Sequence, residues 1–335
     1  MDAPGERRGV SQEGTAGPAG GGARAPVPVV DALLGGYLLV GAAALAFPGR
    51  PPAWPAWMAL HLAGALVLLA PPPVRRLRAE LGARLGGLGR ALGDWYPLLL
   101  VPAFYFDLSI LNVAVHEGRY FDALVQDWEA ALFGGQPSRD LALRWPWLPL
   151  SEVLHASYLS YYAIIYVPAI VLYARGMRVA FREVVLAIMA TFVLHYLFFI
   201  FLPVQGPRYL FDPPAGGLES GPVYRATHWL LGNASSRGTA FPSSHVGVAT
   251  AISLTLMRFL PRIGLAALAL TALLAVATVY GGFHYATDAW VGAAFGLAVA
   301  AALAASRPAG SREHIRSPPG ANQYVCDDCP PHRPS

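Results

Sequence analysis

The chain has 335 residues, 55% hydrophobic and only 13% charged, with a mean hydropathy of +0.44; a soluble domain carries about 25% charged residues, so an ordinary soluble fold is excluded. The net charge of +4 rests on 24 basic residues, all arginine, and no basic run is interleaved with aromatics, so the charge does not imply nucleic-acid binding. The two cysteines, Cys326 and Cys329, fall in the last ten residues, so no disulfide framework staples the body.

Residues 1–28 are rich in Gly, Ala and Pro and read as a disordered tail without a cleavable signal peptide. A membrane span needs about 20 apolar residues. Segments 29–48, 53–71, 95–115, 151–173, 180–202 and 285–305 have that character, and 243–260 and 263–282 add two more. The expected fold is an all-α, polytopic membrane helix bundle. Residues 29–94 would form two N-terminal spans and a basic cytoplasmic loop, 95–305 a membrane-embedded six-helix core, and 306–335 a second disordered tail.

Eight spans put both termini on one side, and arginine placement makes that side the cytoplasm. Arg75, Arg76, Arg78, Arg84 and Arg90, then Arg175, Arg178 and Arg182, then Arg258 and Arg262, all fall in inner connections. Segments 116–150 and 203–242 and the turn near residue 283 then face the periplasm or cell exterior, from the inner (plasma) membrane.

In the first outer segment, YFDALVQDWEAALF (120–133), Phe121, Leu124, Val125, Trp128 and Leu132 share one helical face. Asp122, Gln126, Asp127 and Glu129 fall elsewhere, so a short amphipathic helix in the interface is expected. RWPWLP anchors the next span with two interfacial tryptophans. Glu152, at an outer helix start, reads as favourable to its own helix dipole. Asn112 and His195 are polar groups within spans. Tyr158, Tyr161 and Tyr162 read as packing or interface residues. Asp107, charged and near mid-span, fits a head-group ligand and an interhelical partner equally well.

Three outward pieces carry chemistry: FLPVQGPRYLF with Arg208, AFPSSHVG with Ser243, Ser244 and His245, and VYGGFHYATDAWVG with His284 and Asp288. His284 and Asp288 are one helical turn apart, so the carboxylate can accept from one imidazole nitrogen and leave the other as a nucleophile. Pro242 suits a first helical position. The N–H groups of Ser243, Ser244 and His245 would then form an anion site at a helix N-terminus. His245 adds proton transfer and Arg208 a planar cationic fork.

These residues resemble the type 2 phosphatidic acid phosphatase superfamily. PSSH matches its second motif, with Ser244 in place of glycine, and HYATD ends its third. The first-motif lysine falls at Phe201, the following proline at Tyr209, and the third-motif Ser-Arg at Ala277-Thr278. The inositol phosphorylceramide synthase-like branch also tends to lack that arginine, and DWEAALFGGQP is similar to a segment upstream of its core. The resemblance implies metal-independent lipid phosphatase or phosphotransferase (inositolphosphotransferase) activity through a phosphohistidine, with no cofactor. His284 would be the nucleophile, Asp288 its orienting partner and His245 the acid and base. Arg208, Ser243 and Ser244 would bind phosphate, and Arg237 is a candidate replacement cation by position alone.

The expected substrate is a lipid phosphate or phospholipid head group in the membrane. Two other readings stand beside it: a zinc site of His245, His284 and Asp288 in a metal-dependent hydrolase, and a non-catalytic lipid-binding or transport protein that keeps the fold. CDDCPPH holds too few ligands for a closed zinc site and reads as tail.

Overall fold

The structure, a computed structural model, describes residues 28–212 and 217–306. The expected N-terminal tail up to residue 27 and the tail from 307 onward, including Cys326 and Cys329, lie outside the described residues.

Twelve α-helices follow in order: α1 (Val29–Ala44), α2 (Trp54–Leu68), α3 (Pro72–Arg84), α4 (Gly86–His116), α5 (Asp122–Phe133), α6 (Pro137–Arg144), α7 (Leu148–Ala174), α8 (Arg178–Phe201), α9 (Pro222–Ala234), α10 (Ser244–Met257), α11 (Pro261–Tyr280) and α12 (Ala286–Ala305). Among the described residues, the extended pairing is one bridge between Val204 and Thr239. The protein is an all-α polytopic membrane bundle. In lipid every backbone group must find a partner within the protein, and a helix satisfies that requirement by itself.

Each of the eight apolar runs contains a helix, but they differ in reach. α4, α7, α8, α11 and α12 are each long and apolar enough to cross a membrane. α1 and α10 have only 16 and 14 residues. α10 is therefore about 21 Å long, against a hydrocarbon core of about 30 Å. It can be short because α7, α8, α11 and α12 enclose it. Irregular backbone at membrane depth is tolerated where protein covers it. The N-terminus of α10 is thereby recessed into the bundle.

Small residues allow that enclosure. A Cβ on Gly292 would strike the Ser243 backbone, and one on Gly296 the Gly247 backbone. This four-residue spacing of glycines brings α12 against α10 at backbone distance. It also sets the start of α10 beside the start of α12.

The basic stretch after α2 is not a loop. It forms α3, bent 85° from α2, and α4 starts at Gly86 rather than near 95. Val74, Leu77 and Leu81 are exposed at spacings of three and four, the pattern of a helix lying on an apolar surface. Arg78 ties α3 down by pairing with Asp31 of α1 (3.0 Å) and donating to Val67 O of α2 (3.1 Å). Charge density hid this helix from a search for apolar runs.

Asp107 pairs with other helices. Its Oδ2 lies 2.8 Å from His61 Nε2 of α2 and accepts from the Tyr37 hydroxyl of α1 (3.4 Å). The two N-terminal helices are thus pinned to α4 by buried polar contacts as well as by apolar packing.

Candidate active site

The site forms where the α8–α9 connection, the start of α10 and the α11–α12 turn converge. The turn comes first. The N–H groups of Phe283 and His284 both donate to Thr278 O (3.0 Å each), which closes α11 and holds the imidazole inward. Thr278 is fully buried as part of this turn.

His284 is 3% exposed. Its Nδ1 lies 2.9 Å from Ala240 O and 3.4 Å from Asp288 Oδ2. A carbonyl only accepts, so Nδ1 carries the proton and Nε2 keeps its lone pair. Nε2 faces His245 Nδ1 at 3.3 Å. His245 Nε2 lies 3.0 Å from the Tyr158 hydroxyl. The pattern closes as Tyr158 O–H to His245, His245 Nδ1–H to His284, and His284 Nδ1–H to Ala240. The orienting group for His284 is thus a backbone carbonyl as much as the carboxylate.

Asp288 has a second task that explains the four-residue spacing. It is the third residue of α12, and its Oδ2 accepts the N–H of Tyr285, the N-cap (2.8 Å). This is half of a capping box, which fixes the carboxylate against the turn that carries His284.

The start of α10 departs from expectation by two residues. Ser243, not Pro242, borders the helix: Pro242 precedes the N-cap, and Ser243 Oγ accepts from Val246 N–H (3.4 Å). The Ser243 N–H is not free for an anion, because it donates to Asp288 O (3.0 Å). The N–H groups of Ser244 and His245 have no acceptor among the described residues. The candidate anion cradle therefore has two amides rather than three. His195 supports it from below: its Nδ1 is held by Thr191 O (2.7 Å), and a Cβ on Gly247 would come within 2.6 Å of its ring.

Arg208 is half-buried, and its Nη2 donates to Leu231 O (3.4 Å). Arg237 is exposed. Both guanidinium carbons stand over the same ring, Tyr209, at 4.8 and 5.1 Å from its centroid. Tyr209 thus gathers two cations. Neither arginine touches a histidine of the pair.

Several partners of this site were not legible beforehand. Tyr158 and Tyr161 are not simple packing residues: Tyr158 bonds His245, and the Tyr161 ring lies 4.3 Å from the imidazole centroid. α5 is amphipathic, but the face it buries carries Asp122 and Glu129 together with Val125, and Asp127 stays exposed. Leu124, Trp128 and Leu132 are exposed, while Asp122 and Glu129 are buried. Asp122 accepts from the N–H groups of Gln205 and Gly206 (3.0 and 2.9 Å) and from the Tyr285 hydroxyl (3.1 Å). Glu129 accepts from Ala286 N–H (2.6 Å) and the Ser138 hydroxyl (3.0 Å). The signal was the spacing of Asp122, Gln126 and Glu129 on one face. Glu152 likewise serves a helix other than its own, capping α9 through the N–H groups of Val223 and Tyr224 (2.9 Å each).

The three proposed zinc ligands do not converge. Asp288 lies on the Nδ1 side of His284 and His245 on the Nε2 side. No three His, Cys, Asp or Glu side chains among the described residues are placed to share a cation.

Burial lowers the His284 imidazole from 6.5 to about 4. Burial first, then His155 and Arg208, lowers His228 to about 4 as well. Between these values the unfolded chain binds more protons than the folded one. The contribution is therefore complete above about 6.5 and is lost as pH falls toward 4. The unfolding midpoint of purified protein is expected to drop between pH 7 and pH 5; a flat midpoint over that range would contradict the buried neutral imidazoles.

Fold and site together define a polytopic membrane protein with a paired-histidine centre recessed into one end of its bundle. The chain belongs to the PAP2 superfamily, whose family model matches residues 127–302, from within α5 to within α12. Membership supports a phosphatase-type lipid phosphoesterase or phosphotransferase. Comparisons with curated proteins and with solved structures found no match.

Proposed function

We propose that the protein transfers a phosphoryl group from a lipid phosphate or phospholipid through a phosphohistidine on His284, at the outer face of the inner membrane. The observation that carries this reading is the 3.3 Å approach of His245 Nδ1 to His284 Nε2, with the far nitrogen of His284 held by Ala240 and Asp288.

In the first step His284 Nε2 attacks phosphorus and the bond to the leaving oxygen breaks. A phosphate dianion between the rings favours the imidazolium form of His245. In that form Nε2–H donates to Tyr158 Oη, and Nδ1–H passes to the leaving oxygen. His284 becomes cationic, and its Nδ1–H faces Ala240 O and the Asp288 carboxylate, which stabilise the charge. In the second step His245 Nδ1 takes a proton from water or an alcohol. The new P–O bond forms as the P–N bond breaks. The Ser244 and His245 amides and the Arg208–Arg237 pair are the donors available to phosphate oxygens, and Ser243 holds the amides in place.

The outward orientation is supported by arginine distribution, since α3 and the α7–α8 and α10–α11 connections carry basic residues at the end away from the site. Phe201 and Thr278 at two family cation positions favour the phosphotransferase branch, similar to inositol phosphorylceramide synthases.

The test supplies purified protein with labelled phosphatidic acid and labelled phospholipids, with and without chelator. Turnover should survive chelator, vanish in His284→Ala and place acid-labile label on the wild-type chain. Equal turnover in wild type and His284→Ala would overturn the mechanism, and loss with chelator would return a metal hydrolase.

A further inference from the structure

Beside the histidine pair lies a cavity of about 620 Å³ with mixed polar and apolar walls, which include His155, Arg208, Asp212, Tyr224, His228 and Gly282. One ring separates the two. Phe283 packs against Tyr158, the partner of His245 (centroids 4.4 Å), and against His155 and His228 (5.6 Å each). Glu152 caps α9 and so holds Tyr224 and His228 over α7, which carries His155. Tyr224 stacks on His228 at 4.0 Å. One side of the wall is built from two helices locked together, α7 and α9, and α6, the α8–α9 connection and the α11–α12 turn supply the rest.

Its chemistry is specific. His155 Nδ1 lies 2.7 Å from Ser151 O and donates to it, so Nε2 carries a lone pair. That Nε2 is buried without a hydrogen-bond partner, as is the Nε2 of His228, while His155 as a whole is 2% exposed. A buried acceptor without a donor is unfavourable, and a ligand O–H relieves it. A doubly ionised phosphomonoester group brings only acceptor oxygens and would not satisfy a lone pair. An ammonium head group brings donors, but the guanidiniums of Arg139 and Arg208 line the same cavity and repel it. Hydroxyl groups suit the imidazole, and the Asp212 carboxylate accepts from them too.

We infer that this cavity is an acceptor subsite for a polyhydroxylated alcohol, which His155 and His228 hold by accepting from its hydroxyls, and that Phe283 swings aside for another hydroxyl to reach the phosphohistidine. The inference rests on the phosphohistidine reading and extends it. The polyol oxygen forms a P–O bond, the P–N bond to His284 breaks, and the hydroxyl proton passes to His245 Nδ1. A filled subsite also displaces the water that would otherwise hydrolyse the intermediate.

The experiment has two arms. In the first, wild-type protein is given labelled phosphatidic acid with rising glycerol or myo-inositol. Label should move from inorganic phosphate into polyol phosphate. His155→Ala and His228→Ala should raise the polyol KM at least tenfold, leaving hydrolysis and labelling of His284 within twofold of wild type. His228→Gln, which restores an oxygen acceptor, should recover most of the transfer. Label that reaches His284 but never a polyol, or variants with unchanged polyol KM, would overturn the subsite. A fall in donor kcat/KM as polyol rises, the mark of competition for the donor's own site, would place the donor's head group here and overturn the acceptor assignment.

The second arm needs no turnover. Glycerol 3-phosphate should raise the unfolding temperature of wild type and of His284→Ala, and should not raise that of His155→Ala or His228→Ala. No shift in any protein would overturn the subsite by itself. Failure of labelling in the first arm with a shift intact in the second would count against the phosphohistidine alone.

Discussion

Replacing His245 with alanine is expected to lower turnover about 10²- to 10⁴-fold, the range that a positioned acid–base group contributes. The substitution removes the proton donor 3.3 Å from His284 Nε2 and leaves the Tyr158 hydroxyl without its partner. A leaving-group test separates chemistry from structure. An aryl phosphate donor expels an oxygen that needs no proton, so His245→Ala should still load His284 from it. The second step, which needs a base for the acceptor hydroxyl, stays slow, and labelled protein should accumulate. Equal losses with alkyl and aryl donors, and no accumulation, would assign His245 to structure alone.

Glu129→Ala should be the most damaging change outside the paired histidines. Glu129 is fully buried and accepts from Ala286 N–H, at the first residue of α12, and from Ser138. Alanine leaves both donors buried and unpaired, at about 1–3 kcal/mol each. The loosened residue is two positions after His284, so turnover should fall together with stability. Glu129→Gln keeps an acceptor oxygen for Ala286 and should recover most of both. Denaturant unfolding and turnover measured on the three proteins check this, and a Glu129→Ala protein as stable and active as wild type would refute it.

Much of the bundle was legible because membrane helices announce themselves locally. All eight apolar runs contain helices, since a long apolar run has no other way to satisfy its backbone in lipid. Their lengths were not legible: α10 stops at 14 residues because four neighbours enclose it, and α3 is a helix although its charge breaks the apolar signal. The spacing of His284 and Asp288 was readable for the same local reason, since both sit within one turn of a helix start. The two-residue error at Pro242 arose because the cap depends on where Ser243 N–H finds its acceptor, and that acceptor, Asp288 O, comes from α12.

α5 shows the limit most clearly. Its sequence is amphipathic whichever way it faces, and hydrophobic-inside reasoning assumes that water lies outside. Beside a membrane the surroundings accept Leu124, Trp128 and Leu132, while the loops beneath offer the N–H groups of Gln205, Gly206 and Ala286. Buried donors need acceptors more than exposed leucines need cover, and the helix turns Asp122 and Glu129 inward while Asp127 stays outside.

By itself, then, the sequence determined an all-α membrane chain, the ends of its helices that carry chemistry, and the histidines and carboxylate of the candidate centre, because each is encoded over one or two helical turns. Only the tertiary structure decided that His245 meets His284, that Ala240 O shares the orienting role with Asp288, and that Glu129, Glu152, His155 and His228 surround the centre. Those contacts join residues far apart along the chain through unpaired buried donors and acceptors, and such pairing exists only once the helices have packed.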